Sequence, residues 1–497
     1  MIEVAVAAPS GLAARAAEAV VAHGGGAVDA AIAAAIAAMF TEIGVAAPGA
    51  GAFVAVAGFD DVPVVHDGYM AVPGLHGHQP EPNAIRAHMG YGGGLTTMVG
   101  PASVAVPGAW AAFDRVHAIH GRTDFGNLVA PTIEILEAGF TLGSSCLYYL
   151  GYSGEAVFGH DPAARAVLQP GGSLVTATDA VHMPEAVSTL RVLADEGPMA
   201  LLSGTLGRRI AEDLWSRGSL IGPTDFTSYG DLERRPLVHS VGGWDLYTNP
   251  PPAVGGAGLI ALLAGLEHSD PAAFLDAQEQ LFRWRRGPLH DSVDRSADIN
   301  EFLRSLPGDP IRSPSTVHVS AVDSDGVGCA ITLSAGYGSG VVPTGTGLFM
   351  NNGMGELELV GEPAGLVPGD RLNSNMAPTL LRSSDRGLLA IGSPGADRIS
   401  SALASVVGTV ALEGGSLRQA LDHPRIHVAV DETGNARIKA EPGAVVPDHR
   451  LPVDRFDDLN MYFGGVGAAL VGPNGHLSAA TDPRRPGVAA IFGHREN

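Results

Sequence analysis

The chain has 497 residues, 45% of them hydrophobic and 16% charged, which is ample for a large buried core and too apolar for a disordered polymer. Its 52 acidic against 30 basic residues give a formal charge of −22, a surface that repels phosphate backbones and argues against a nucleic-acid partner. A single lysine, Lys439, excludes a Walker-type phosphate loop and reads as a strand-edge residue, and the two cysteines, Cys146 and Cys329, fall in no cluster with metal-ligand spacing, so neither a metal nor another cofactor is expected.

Ser10 is placed to cap a helix over residues 11–23 that stops at Gly24, and the Gly24-Gly25-Gly26 run resets the chain into a second helix over 27–40. The abundance of alanine predicts that these two helices pack closely. No basic residue precedes Arg15, so no signal peptide is expected, and the uncharged run Ala30 to Thr41 is far shorter than the ~20 residues of a membrane span. The expected location is cytoplasmic, with no membrane contact.

Two short apolar runs, 53–57 and 62–65, predict a hairpin. Residues 107–140 look helical, with Trp110, Phe113, Val116 and Ile119 at three- and four-residue spacing, and 181–220 continue the helical half. A strand over 238–246 is expected to end in the stiff turn Asn249-Pro250-Pro251-Pro252, after which Gly255-Gly256-Ala257-Gly258 opens a helix over 259–266. That glycine loop lacks the βαβ setting of a phosphate cradle. The polar stretch 272–303 reads as helix and runs into a proline-rich linker, residues 306–314. Strands follow at 316–322, 328–333, 347–351, 379–381 and 388–391, so the chain is helix-rich and then strand-rich, with a boundary near residue 315.

In the first of those strands Val317, Val319 and Ala321 fall on one face and Thr316, His318 and Ser320 on the other. Taken alone, this is the pattern of a half-exposed strand.

Several segments nevertheless recur together and in order: Gly25-Gly26-Ala27-Val28-Asp29-Ala30-Ala31, Ser103-Val104-Ala105-Val106-Pro107-Gly108, the block from Ala130-Pro131 to Gly139-Phe140, Pro250-Pro251-Pro252 with Gly255-Gly256, Asn351-Asn352, Ala377-Pro378-Thr379 and Gly392-Ser393-Pro394-Gly395. In this order the chain resembles the γ-glutamyltransferase family of N-terminal-nucleophile hydrolases along nearly its whole length. The resemblance implies an α+β fold, a four-layer αββα sandwich with additional helices. It also implies a proenzyme that cuts its own backbone before a threonine. The matching bond is Ser315-Thr316, which leaves a large segment of 315 residues and a small one running from Thr316 to Asn497, together forming one globular unit.

The chemistry so implied needs no metal. The freed α-amine of Thr316, with a reference pKa of about 7.7–8.0, can act as base for its own hydroxyl. Ser334 matches the second hydroxyl that holds this amine, and Gly395-Ala396 matches the pair of backbone amides that form an oxyanion hole, provided that position 396 does not demand positive φ. His318 matches a position beside the nucleophile and is read as structural.

The substrate pocket departs from the family pattern. Where an arginine is expected to grip a glutamyl carboxylate, the chain has His66-Asp67-Gly68-Tyr69. The asparagine after the second hydroxyl is replaced within Ala335-Gly336-Tyr337-Gly338, and Asn351-Asn352-Gly353-Met354-Gly355-Glu356 stands where the family has Asn-Asn-Gln-Met-Asp-Asp. The paired serines become Ser374-Asn375. The pocket residues are therefore expected to be Asn352, Glu356, Ser374 and Asn375, with Tyr69 or Tyr337.

Without the arginine, a buried carboxylate loses several kcal/mol of compensation, so a standard γ-glutamyl compound is a poor substrate. The expected activity is hydrolysis or transfer of another acyl group from a small molecule by self-cleaved subunits, with pairing of processed heterodimers left open. Two alternatives remain at this stage: hydrolytic C–C cleavage of the kind associated with relatives in alkylproline pathways, and an uncut binding protein.

Overall fold

The computed structural model describes residues 2–58, 60–77, 79–90, 94–267, 272–286, 289, 292, 294–305, 316–360, 366–431 and 433–493. A seven-stranded sheet runs in the order Val488–Phe492, Val4–Ala8, Val317–Asp323, Gly328–Ser334, Gly51–Ala57, Val64–Gly68 and Leu232–Arg234, every pair antiparallel. A six-stranded sheet, ordered Leu477–Thr481, Gly467–Val471, Gly387–Gly392, Thr379–Ser383, Trp244–Thr248 and Leu237–Val241, packs face to face against it.

The side-chain period of two divides the apolar residues between two cores. Val4, Val6, Val54, Val56, Val317, Val319, Ala321 and Ile331 turn outward to the helix layer. Ala5, Phe53, Ala55, Val322 and Ala330 turn inward to join Leu380, Leu389, Ile391 and Ala468 of the second sheet and Ile399, Leu403 and Val406 of the helix Arg398–Ala411. The outer helix Ala27–Thr41 is buried at every residue, and Gly11–Ala22 packs beside it. On the far side Arg398–Ala411 packs against Gly255–Leu266. The order helix, sheet, sheet, helix is the α+β sandwich expected from the sequence.

Local chemistry explains the start of the fold. Ser10 Oγ accepts from the Ala13 N–H at 3.3 Å, as a cap should. A Cβ on Gly25 would sit 2.6 Å from Val20 Cγ1, so the turn into the second helix admits no side chain. Asp29 then accepts from the Gly26 and Arg122 N–H groups, and Asp323, at the far end of the strand that begins at Val317, accepts from the Ala27 N–H at 3.0 Å. The Gly-Gly-Ala-Val-Asp segment is thus a clamp between that strand and the helix over it.

Several expectations need correction. The strand Val317–Asp323 is buried on both faces, because the second sheet covers the side that period-two reading left open. Val4–Ala8 is a strand for which the sequence pattern gives no expectation, since a strand buried on both faces shows no alternation. Residues 238–246 are two strands, Leu237–Val241 and Trp244–Thr248, folded at Gly242-Gly243, both with positive φ. Residues 347–351 form no strand and make only an isolated bridge, Gly49 with Met350. Nor is the chain helix-rich and then strand-rich in space, because the segment before residue 315 supplies strands to both sheets. The linker 306–314 and Ser315 lie outside the described residues. Among those described, no helix is long and apolar enough to cross a membrane.

Candidate active site

The strand Val317–Asp323 pairs with Gly328–Ser334 in a register that sets Val317 opposite Leu333 and His318 opposite Thr332. One step further, Thr316 stands opposite Ser334, and both are buried. The Ser334 hydroxyl accepts from the Gly336 N–H at 3.1 Å. Behind Thr316, on the face toward the second sheet, His318 bridges Thr332 Oγ1 at 2.8 Å through Nδ1 and Ser320 Oγ at 2.7 Å through Nε2. Ser320 donates to the Gly467 carbonyl at 3.1 Å. Its hydroxyl therefore accepts from His318 Nε2–H, which leaves Nδ1 to accept from Thr332. Burial pushes the His318 pKa down to about 3, so the ring is neutral and serves as a strut between the sheets.

The Gly395-Ala396 turn comes from the second sheet. Gly392 lies so close to His318 that a Cβ there would sit 2.3 Å from the ring, and the chain then turns through Ser393 and Pro394. Pro394 and Thr316 line one cavity together with Glu42, Ser145, Asp482 and Arg485. Gly395 has φ +128 and Ala396 φ +64, and Ala396 is the one non-glycine residue with positive φ among those described. The condition set on position 396 is thus met in the unfavourable sense. Alanine keeps the N–H, but in a left-handed conformation that costs about 1–2 kcal/mol.

Sequence reading did not single out Glu42 and Arg485. Glu42 ends the helix Ala27–Thr41, and burial raises its pKa against the opposing pull of Ser10, Cys146 and Arg485. No local pattern marks either residue, because they meet only when the C-terminal segment folds over the first helices.

A second group gathers Tyr69, Glu356 and Ser374. The Tyr69 hydroxyl is buried and bonded to Ser374, and its pKa is driven well up by desolvation, then by the neighbouring Glu356 charge. A Cβ on Gly336, at φ +62, would lie 2.4 Å from Asn352 Oδ1 and 2.9 Å from the Glu356 carboxylate. Glu356 and Asn352 therefore fill the space beside Gly336, two residues after Ser334.

Asn351 staples this loop to Gly49 and Ala105. Asn352 accepts from the Tyr337 N–H and donates to Thr97 and Met98, so it shapes the loop that carries Glu356 more than it offers a free amide. Tyr337 is a correction: its ring is packed in the helix-side core, with its carbonyl bonded to the Tyr149 hydroxyl, because the turn at Gly336 and Gly338 faces inward. Asn375 follows Ser374 and is buried, and both atoms of its amide lack a hydrogen-bond partner among the described residues.

The missing arginine has a structural counterpart. A Cβ at Gly68 would lie 2.6 Å from both Ala112 Cβ and the Gly108 carbonyl, so the helix Ala109–His120 occupies that space. Nearby Arg371 is held by Asp67 at 3.4 Å and stacked on Tyr229. Lys439 lies in the strand Ala436–Ala440, paired with Asp454 at 2.7 Å. Asp276, Glu279 and His449 bring ligand atoms within 4.8 Å of one another, but Arg450 pairs with both carboxylates, which disfavours a cation there.

Comparison with known proteins agrees with this layout. The family profile described as Gamma-glutamyltranspeptidase matches residues 13–284 and 279–492. The chain is 26% identical to the glutathione hydrolase proenzyme of Escherichia coli strain K12 over 427 residues, 76% of this chain and 73% of that protein. It is 27% identical to the Acylase ACY 1 proenzyme of Pseudomonas sp. strain V22, over 80% of this chain and 76% of that one. In fold it is similar to the cephalosporin acylase from Bacillus halodurans, with a TM-score of 0.76 at 22% identity over 98% of this chain and 95% of the other. A match of this extent means that the chain belongs to the gamma-glutamyltranspeptidase family.

Proposed function

We propose that this protein is an autoprocessing hydrolase or acyltransferase whose nucleophile is Thr316, acting on an acyl compound other than a standard γ-glutamyl one. The observation that carries this reading is the meeting of Thr316, Ser334 and the Pro394-Gly395-Ala396 turn at one end of the central strand. In processing, Thr316 Oγ attacks the Ser315 carbonyl carbon, the Ser315–Thr316 amide breaks as an ester forms, and water releases the Ser315 carboxylate. Thr316 is left with a free α-amine.

In turnover that amine accepts the Oγ proton while Oγ attacks the substrate carbonyl. The N–H groups of Gly395 and Ala396 stabilise the oxyanion, with one such donor worth about 10² to 10³ in rate. The amine returns the proton to the leaving group, and water or a second amine takes the acyl group from Thr316. Ser334 orients the amine. With His318 held neutral and bonded at both nitrogens, the α-amine is left as the base.

The altered substrate preference is supported by Gly68, where packing of the helix Ala109–His120 admits no side chain and hence no arginine. The test is intact mass of the purified protein beside Thr316→Ala, with N-terminal sequencing of the smaller fragment. The expected result is a fragment beginning at Thr316 and an uncut variant. A wild-type chain that stays whole after long incubation at neutral pH would remove Thr316 as nucleophile.

A further inference from the structure

Before self-cleavage the base of turnover does not exist, because the nitrogen of Thr316 is still the amide of the Ser315–Thr316 bond and its lone pair is delocalised into the carbonyl. Another group must take the Oγ proton. Among the described residues, the titratable side chains lining the Thr316 cavity are Glu42, His318, Asp482 and Arg485. Three of them are unfit. His318 is neutral and bonded at both nitrogens. Asp482 is clamped between Arg425 at 2.6 Å and Arg484 at 3.0 Å, and against its desolvation these charges hold its pKa below the usual carboxylate range. The Arg485 guanidinium has no acceptor site. Glu42 remains.

Its surroundings suit a base. Glu42 follows the last residue of the helix Ala27–Thr41, at the negative end of the helix dipole, where a carboxylate is disfavoured. The side chain is buried, and the Cys146 thiol donates to Oε2 at 3.4 Å. The Ser10 hydroxyl, which accepts from the Ala13 N–H, donates to the same carboxylate. Burial raises the Glu42 pKa, while Ser10, Cys146 and the Arg485 charge pull the other way. The groups that face Glu42 from neighbouring elements are thus Ser10, Cys146 and Arg485, with Asp482 and His318 elsewhere on the cavity wall; burial keeps the Cys146 thiol neutral. A carboxylate shifted toward neutral pH is better matched to a hydroxyl proton. The cavity offers about 40 Å³ to the centres of water molecules, room for about two or three, with Thr316, Glu42, Ser145 and Arg485 among its polar walls.

We infer that Glu42 is the proton acceptor of self-cleavage, acting on Thr316 through water in this cavity. The inference deepens the proposed function and rests on it. The Oγ proton of Thr316 passes through water to the Glu42 carboxylate as Oγ bonds to the Ser315 carbonyl carbon. The C–N bond then breaks, and the proton returns from Glu42 through water to the Thr316 nitrogen, which becomes the α-amine. Glu42 ends as it began, a carboxylate. Water next splits the ester, its hydroxyl going to the Ser315 carbonyl carbon and its other proton to Thr316 Oγ.

For the test, the full chain is made by cell-free synthesis as wild type, Glu42→Gln and Glu42→Asp, moved into buffers from pH 5 to 9, and followed by intact mass for the fragment that begins at Thr316. The wild-type rate is expected to rise with pH and level off, with a midpoint above the ordinary carboxylate value of 4.5, since only ionised Glu42 accepts the proton. Glu42→Gln should cut at least about 10²-fold more slowly at neutral pH and lose the plateau, its rate rising with hydroxide throughout. Glu42→Asp, a shorter carboxylate, should keep the plateau at an intermediate rate. Folding is read separately in Thr316→Ala and Thr316→Ala/Glu42→Gln, which stay whole. The double variant should melt no lower, because the carboxylate it removes is buried at the negative end of a helix.

A Glu42→Gln chain that cuts as fast as wild type, or that keeps its plateau, would overturn the role. So would a double variant that melts clearly lower, which would make Glu42 a structural strut. A wild type that stays whole takes the Thr316 mechanism away, whereas a wild type cut before Thr316 beside an equally fast Glu42→Gln keeps that mechanism and loses Glu42.

Discussion

His318 offers the most direct check on the physical account of the site. Its ring is buried between the sheets, bonded at both nitrogens, with its pKa lowered from 6.5 to about 3 by desolvation. Between those values the unfolded chain binds a proton at this residue and the folded one does not, so stability rises with pH across the window and is lost as pH falls below 6.5. The slope approaches about 1.4 kcal/mol per pH unit well below pH 6.5, and the loss amounts to about 2.3 kcal/mol between pH 6.5 and 4.5. Replacing His318 by Gln keeps a neutral donor and acceptor and removes the titration. The experiment compares Thr316→Ala with Thr316→Ala/His318→Gln, which keeps both proteins as single chains, and follows urea unfolding from pH 7 to 4.5. The double variant is expected to be less stable at pH 7 because the strut is shorter, but to lose about 2.6 kcal/mol less between pH 7 and 4.5. Parallel pH profiles would show that His318 protonates in the folded state, and the argument that sets His318 aside in favour of the Thr316 amine would fall with it.

Other substitutions probe the surrounding geometry. Ala396→Gly should keep processing and turnover and relieve left-handed strain of about 1 kcal/mol, whereas Ala396→Val should abolish both, as read by intact mass and anilide hydrolysis. Ser334→Ala should slow turnover by about 10² and destabilise by about 1–3 kcal/mol, since it also removes the acceptor of the buried Gly336 N–H, and Ser334→Thr should restore both. Gly68→Arg should fail to confer γ-glutamyl hydrolysis and should destabilise by about 1–3 kcal/mol or more, because its Cβ meets Gly108 and Ala112. Cys146 and Cys329 should resist alkylation in the folded protein at pH 8, since burial raises both thiol pKa values, and both should react fully in urea.

Much of the site was legible because its signals are local. Thr316 and Ser334 lie on adjoining strands joined by a tight Asp325-Gly326 turn, so the register that opposes them is fixed within about twenty residues of sequence. Glycines at positive φ, the Ser10 cap and the glycine resetting the first two helices are equally local. The Asn351-Asn352 pair was recognisable as a motif, yet which atoms it bonds was not, since Gly49, Thr97, Met98 and Ala105 reach it from elsewhere in the chain.

What the sequence by itself determined was the order of helices and strands over most of the chain, the family and the end of the strand at which chemistry is expected. Period-two and 3.6-residue patterns, caps and turn glycines act over a few residues, and they survive in a single sequence. Only the tertiary structure decided that Val317–Asp323 is covered on both faces, that Glu42 and Arg485 share a cavity with Thr316, that Gly68 has no room for a side chain, and that Arg285 is buried with no hydrogen-bond partner for its guanidinium among the described residues. Each of these depends on what another layer of the sandwich brings to the same place. Desolvation and steric exclusion are properties of the surrounding atoms, and those atoms come from segments hundreds of residues apart.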